Sequence, residues 1–305
     1  MKKIISLLLI LSLLIAGSAA LAETKTPEFT FCISHMSNAF TVTAANAMVA
    51  AAEAAGAKMT VVEAGKDINK QVSQIEMAVN TSDVIIIEPV STDGVLAAVT
   101  AAMDAGVPVV IFNQAISDPS RASTFAGVAN ADLGYMQMKR AIQDMGGSGN
   151  VALLLGPLGS DGQLGRSEGY TRAIEETNGA VKVVFQETAN WTTEEALVLA
   201  ENWLQTGTEI NAFVCQNDGM AMGAVKAVED KNLDIKCYGL DATEDALRAV
   251  KEGRLEVSVS QNTEAQAQAA VDSAMKLFRG EAVEPQILAE GLVIDASNVD
   301  QFLVD

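Results

Sequence analysis

Short apolar runs alternate with helix-length stretches along most of the chain, and this rhythm restricts the fold more than any other feature. The runs include residues 29–34, 58–63, 83–88, 107–112, 151–155, 181–186, 212–215 and 235–240. Val84, Ile85, Ile86 and Ile87 are apolar at every position, which suits a parallel strand covered on both faces rather than a half-exposed one. The intervening stretches are rich in Ala, Glu, Gln and Met. Those at 41–55 and 92–105 stop at Gly56 and Gly106, and the one at 219–231 stops at Asn232. Gly and Asn tolerate the left-handed conformation that ends many helices. The alternation predicts βαβ units and an α/β fold with doubly wound parallel sheets. No helical pattern covers residues 113–126, and a helix-like stretch follows at 133–145. Residues 125–130 therefore read as a crossing of the chain between two lobes.

The N-terminus carries a separate message. Lys2 and Lys3 precede an almost unbroken apolar run over residues 4–16, and small residues follow, ending Ala20-Leu21-Ala22. This is the layout of a secretory leader with cleavage after Ala22. The run is shorter than the roughly 20 residues needed to span a bilayer core. No Cys stands at the cleavage site, so the exported chain is expected to carry no lipid and to diffuse freely in a periplasm.

Residues 23–305 suffice for two domains. A formal charge of −19 repels phosphate backbones and anionic headgroups, which argues against nucleic-acid and membrane-surface roles. Cys32, Cys215 and Cys237 form neither a disulfide framework nor a metal signature. Their apolar surroundings predict buried free thiols, with a Cys215–Cys237 bridge left open.

In open parallel sheets, ligands bind at the carboxyl ends of the strands. Here the first strand runs into Ser34, Asn38 and Phe40, and the fourth into Asn113 and Gln114. Later ends carry Arg166, Asn190, Trp191, Asn217, Asp241 and Gln261. Amides and hydroxyls with one Arg and one Asp suit a ring bearing many hydroxyls, and Phe40 and Trp191 suit its apolar C–H faces. Asn38, Asn217 and Asp241 would serve equally as helix caps. His35, the only histidine, reads as a surface or capping group. No nucleophile–base arrangement and no cluster of metal ligands is discernible, so neither catalysis nor a cofactor is expected. The glycines at 146–149 and 156–165 lack the spacing of a phosphate cradle and read as turns.

These residues carry a resemblance to the periplasmic sugar-binding proteins of ABC transporters, of the ribose- and galactose-binding type. It rests on SHMSNAF at 34–40, IIEP at 86–89, RSEGY at 166–170, CQNDGMAMG at 215–223, YGLD at 238–241 and Gln261. The resemblance implies a type I periplasmic binding fold, with three crossings joining two lobes. The first lobe would comprise residues 23–127 and 263–288, the second 128–262 and 289–305. It also implies ligand contacts at Asn38 and Phe40, at Arg166, Asn217, Asp241 and Gln261, and an aromatic platform at Trp191. One departure stands out: ribose-type proteins carry Asp-Arg, and galactose-type proteins Asn-Lys, where this chain has Asn113-Gln114.

The implied function is capture of a monosaccharide or polyol and delivery to an ABC transporter permease by hinge closure, with the binding protein acting as a monomer. Partnership with a chemoreceptor or sensor kinase is an alternative reading, and an exported hydrolase a more distant one.

Overall fold

The computed structural model describes residues 25–303, so the leader and cleavage expected at 1–22 lie outside the described residues. Two sheets organise the molecule, each with six strands among the described residues. The first contains β1 (Glu28–Ile33), β2 (Lys58–Glu63), β3 (Val84–Ile87), β4 (Val109–Phe112), β5 (Thr124–Val128) and β11 (Gln286–Ala289). Its order is β11-β5-β4-β3-β1-β2, with every pair parallel. The second contains β6 (Gly149–Leu155), β7 (Val181–Thr188), β8 (Ala212–Cys215), β9 (Lys236–Leu240), β10 (Val257–Ser260) and β12 (Leu292–Ile294). Its order is β12-β10-β9-β8-β6-β7, and β12 alone runs antiparallel, against β10.

Helices cover both faces of each sheet. In the first lobe these are α1 (Ala39–Ala54), α2 (Ile68–Ala78), α3 (Leu96–Asp104) and, from far along the chain, α9 (Thr263–Phe278). In the second they are α4 (Asn130–Asp144), α5 (Asp161–Glu175), α6 (Thr193–Gln205), α7 (Asp218–Asp230) and α8 (Glu244–Lys251). The all-apolar β3 now has its explanation. Val84 and Ile86 face α1 and α9, Ile85 and Ile87 face α2 and α3, and all four are fully buried. Each such side chain contributes about 1.5–3 kcal/mol of burial free energy.

The chain passes between the sheets three times: between β5 and α4, between β10 and α9, and between β11 and β12. The first passage differs from the sequence expectation for 125–130. Thr124–Val128 is a strand of the first sheet, and only Ala129 separates it from α4. Gly127 weakens the apolar pattern there for a packing reason, because a Cβ would stand 2.2 Å from the Phe125 ring.

A second correction concerns the glycines at 156–165. Gly162 and Gly165 are helical, in the first turns of α5, rather than in turns. A Cβ at Gly165 would approach the Asn130 side chain to 2.6 Å, and one at Gly169 the Ala131 carbonyl to 2.1 Å. Small residues thus let α5 lie close against α4, and this carries Arg166 to the cleft.

All three cysteines are free and buried, with no bridge between Cys215 and Cys237. Burial pushes the Cys32 thiol up to about 12 and raises the other two as well. Among the described residues, no helix is long and apolar enough to cross a membrane.

Candidate ligand-binding cleft

The strand ends of the two sheets converge on a cavity between the lobes. Asn38, Phe40, Asn113 and Gln114 reach it from the first lobe, and Arg166, Trp191, Asn217 and Asp241 from the second. Gln261 lines it from the passage between β10 and α9. Ser34 lies beside it, lining an adjoining hollow of about 300 Å³ with Gln114 and Trp191. His35, Thr41 and Glu88 also line the central cavity; Thr41 and Glu88 are not among the residues expected there, and His35 reads from sequence as a surface or capping group. His35 is no surface group: it is 8% exposed, and its Nδ1 faces the Ser37 hydroxyl at 3.0 Å. The signal for these three residues was position alone, each adjoining a strand end or a named residue.

Asn38 and Asn217 cap helices and line the cleft at once. Asn38 Oδ1 accepts from Thr41 N at 2.9 Å, and Asn217 Oδ1 from Met220 N at 2.9 Å. Each cap stabilises its helix by about 1 kcal/mol and fixes the side chain at the strand end. Asn217 Nδ2 donates to the Trp191 carbonyl at 3.4 Å, tying two wall segments together.

Trp191 owes its position to the backbone. Asn190 and Trp191 have φ of 51° and 65°, in the left-handed region that favours glycine. The turn lays the indole against Gly156, where a Cβ would stand 2.1 Å from the ring. On the cleft side the Arg166 guanidinium carbon lies 5.4 Å from the ring centroid, within cation–π range. Arg166 is anchored behind by donating to Asn130 Oδ1 at 3.1 Å and to the Gln216 carbonyl.

A chain of amides bridges the lobes. Asn113 Nδ2 donates to Gln261 Oε1 at 3.0 Å and to Gln266 Oε1 at 3.1 Å, and Gln261 Nε2 donates to Asp241 Oδ1 at 2.6 Å. Gln114 Oε1 accepts from Gly162 N at 3.3 Å, a second bridge between the lobes. Asn113 has φ of 57°, a conformation that Asn tolerates better than most residues. Both of its amide protons are engaged within the protein. The neutral pair at 113–114 therefore works on lobe-to-lobe contacts, where an Asp-Arg pair would present charge.

A model of the periplasmic binding protein domain matches residues 29–282 of this chain. The chain belongs to that family. It is 32% identical to a xylitol-binding protein of Mycolicibacterium smegmatis, over 78% of this chain and 68% of that protein. Against the ribose import binding protein of Bacillus subtilis it is 28% identical, over 95% and 97%. A solved ABC transporter solute-binding protein from Bacillus halodurans, with bound myo-inositol, superposes with a TM-score of 0.87. That match has 32% identity and covers 92% of this chain and 98% of the other.

The electrostatics of this periplasmic binding protein are concentrated in a few buried groups. Burial raises the pKa of Asp241, against the pull of Arg166, and lowers that of Arg166, against the pull of Asp241. The two stabilise each other's charge. Asp218 lies behind them, fully buried. Its Oδ2 accepts from Thr243 N at 2.8 Å, and its Oδ1 from the Ser258 hydroxyl at 2.7 Å. Ser258 Oγ in turn accepts from Ala242 N at 2.9 Å. Asp218 thereby fixes the turn at Asp241 and Ala242, both of which have positive φ. Glu88 accepts from Ser34 N at 2.9 Å, and burial pushes its carboxyl up to about 7. Burial and the nearby Lys66 hold His35 down at about 4, so it is neutral at physiological pH.

Proposed function

We propose that this chain is the solute-binding component of an ABC importer, taking up a monosaccharide or related polyol between its lobes. The observation that carries the reading is the composition of the cavity. It combines amides, one buried Arg–Asp pair and aromatic surfaces drawn from both lobes. Planar amides and the Arg fork pair with vicinal hydroxyls, and the Trp191 and Phe40 rings suit the C–H faces of a sugar or cyclitol. Relatives named for xylitol and ribose, and a structural neighbour holding myo-inositol, support the same ligand class.

The mechanism is closure about the three passages. A ligand touching both walls favours the closed arrangement, because only there do Asn38 and Phe40 act on it together with Arg166, Trp191 and Asp241. The closed face is then what a permease reads. The protein works as a monomer in the periplasm, released from its leader after Ala22.

A thermal-shift panel of pentoses, hexoses, deoxy-sugars and polyols tests the reading. A ligand at a hundredfold excess over its Kd stabilises by about 2.7 kcal/mol. Asp241→Ala and Trp191→Ala should each abolish both that shift and the ligand-induced decrease in radius of gyration. Unchanged affinity in both variants overturns the assignment of the site.

A further inference from the structure

Glu88 follows β3 and lines both the central cavity and the adjoining hollow while only 5% exposed. Its Oε2 accepts the backbone N–H of Ser34, and among the described residues no Lys, Arg or His forms an ion pair with it. Ser34 meets the carboxyl through its hydroxyl as well as its N–H, and neither contact calls for an acid, since the amide oxygen of a glutamine accepts such donors too. The other charged groups of the neighbourhood are accounted for. Arg166 answers Asp241. His35 is neutral. Lys66 lines the hollow and acts on His35, and is not among the groups that act on Glu88. One carboxyl is left facing the cleft without an ion-pair partner. Such a group either holds a proton or waits for a cation.

We propose that the ligand carries a protonated amino group and that Glu88 receives it, so that the solute is an amino-substituted sugar or cyclitol. The proposal rests on the function proposed above and narrows its ligand class. The remaining hydroxyls of such a molecule fall to the amides and to the Arg166–Asp241 pair. The ammonium meets Glu88 on the Ser34 side of the cleft. Charge-assisted hydrogen bonds inside a cleft are the strong ones, so the amino group becomes the main point of discrimination. With Arg166 set against Asp241, an ionised Glu88 gives the central cavity one negative charge in surplus, which matches the single positive charge of the ligand.

The test is calorimetric titration of the full chain, in pairs differing only at one substituent: glucose and glucosamine, galactose and galactosamine, myo-inositol and an inosamine. At pH 7 at least one amino compound should bind about tenfold or more tightly than its hydroxyl partner, and Glu88→Gln should bring that ratio close to one. Tighter or equal binding of every hydroxyl partner overturns this proposal alone and leaves Glu88 as a protonated donor to a hydroxyl. A preference that survives Glu88→Gln removes Glu88 from the role. Absence of binding by either kind overturns this proposal together with the function on which it rests. The comparison on the unsubstituted protein stands by itself should the variant fail to fold.

Discussion

Asn113 Nδ2 and Gln261 Oε1 lie 3.0 Å apart, and through this contact the end of β4 is fastened to the passage leading out of the second lobe. Gln261 extends the connection to Asp241, so one wall of the cleft is coupled to the other through amides. Removing the Asn113 side chain leaves two buried amide oxygens without their donor, at a cost of about 1–3 kcal/mol. Asn113→Ala should weaken ligand affinity by about tenfold or more, measured by calorimetry, and enlarge the radius of gyration of the liganded protein in solution scattering. A variant that closes and binds like the parent would show that the lobes are coupled elsewhere.

Gly156 and Trp191 lead to a second expectation. A methyl at position 156 would sit 2.1 Å from the indole, so Gly156→Ala must push the ring out of its seat and away from Arg166. Since a cation–π contact is worth about 0.5–2 kcal/mol, affinity should fall roughly two- to thirtyfold. The emission of Trp191 should shift while Trp203, buried between Phe185 and Phe213, keeps its own. An unaltered emission spectrum would mean that the ring does not depend on this glycine.

Asp218 does not line the central cavity, although it shares a neighbouring hollow with Asp241, and it fixes the turn that presents Asp241. Asp218→Asn keeps one acceptor and loses the other, so a buried N–H or hydroxyl goes unpaired. Stability should drop by about 1–3 kcal/mol in urea unfolding, and binding should weaken beyond what that loss of folded protein explains. Gly239→Ala should produce a similar defect, because its Cβ would lie 2.2 Å from Asp218 Oδ1.

The pH dependence of the ligand-free protein carries the signature of Glu88. Its carboxyl is raised from 4.5 to about 7 by burial, so between those values the native protein holds a proton that the unfolded chain has released. The contribution to stability is therefore full below pH 4.5 and lost as pH rises through 7. The displacement corresponds to about 3 kcal/mol. Glu88→Gln should stabilise the ligand-free protein by up to that amount at pH 8 and change it little at pH 4. His35, lowered to about 4, acts in the opposite direction, losing stability as pH falls from 6.5. It is common to both proteins, so the difference curve isolates Glu88. A flat difference curve would show that the carboxyl is not buried in solution.

The three thiols give the simplest measurement. All are buried with raised pKa values, and the thiolate is the reactive form. Native protein should resist thiol labelling, and all three cysteines should react on unfolding. Labelling of the native protein would place at least one of them at the surface.

Much of this was legible in the chain because the signals were local. The all-apolar β3 could only be a strand covered twice, and the polar residues after β1, β4, β8 and β9 announced a cleft by following strands directly. What escaped reading depended on distant partners. Gly165 looks like a turn residue until α4 is seen against it, and Gly127 dilutes a strand whose Phe125 ring needs the space. Glu88 closes an apolar run and so reads as the end of a strand; only Ser34, far away in sequence, turns it toward the cavity. The neutral amides at 113–114 were recognisable as a departure, but their work lies with Gln261 and Gln266, about 150 residues further on.

The last passage of the chain sets the order in which the molecule can be completed. β11 belongs to the first sheet and β12, three residues on, to the second, while α9 supplies Ala267, Ala270, Val271 and Ala274 to the core around Phe31 and Phe112. A nascent chain emerges N-terminus first. The half made earliest must therefore wait, with one aromatic face bare, for the segments made last. The second lobe also waits for β12, whose Ile294 joins its core, but its five helices are all in hand before α9 is made. The lobe that begins the polypeptide is the one whose helical cover is completed last.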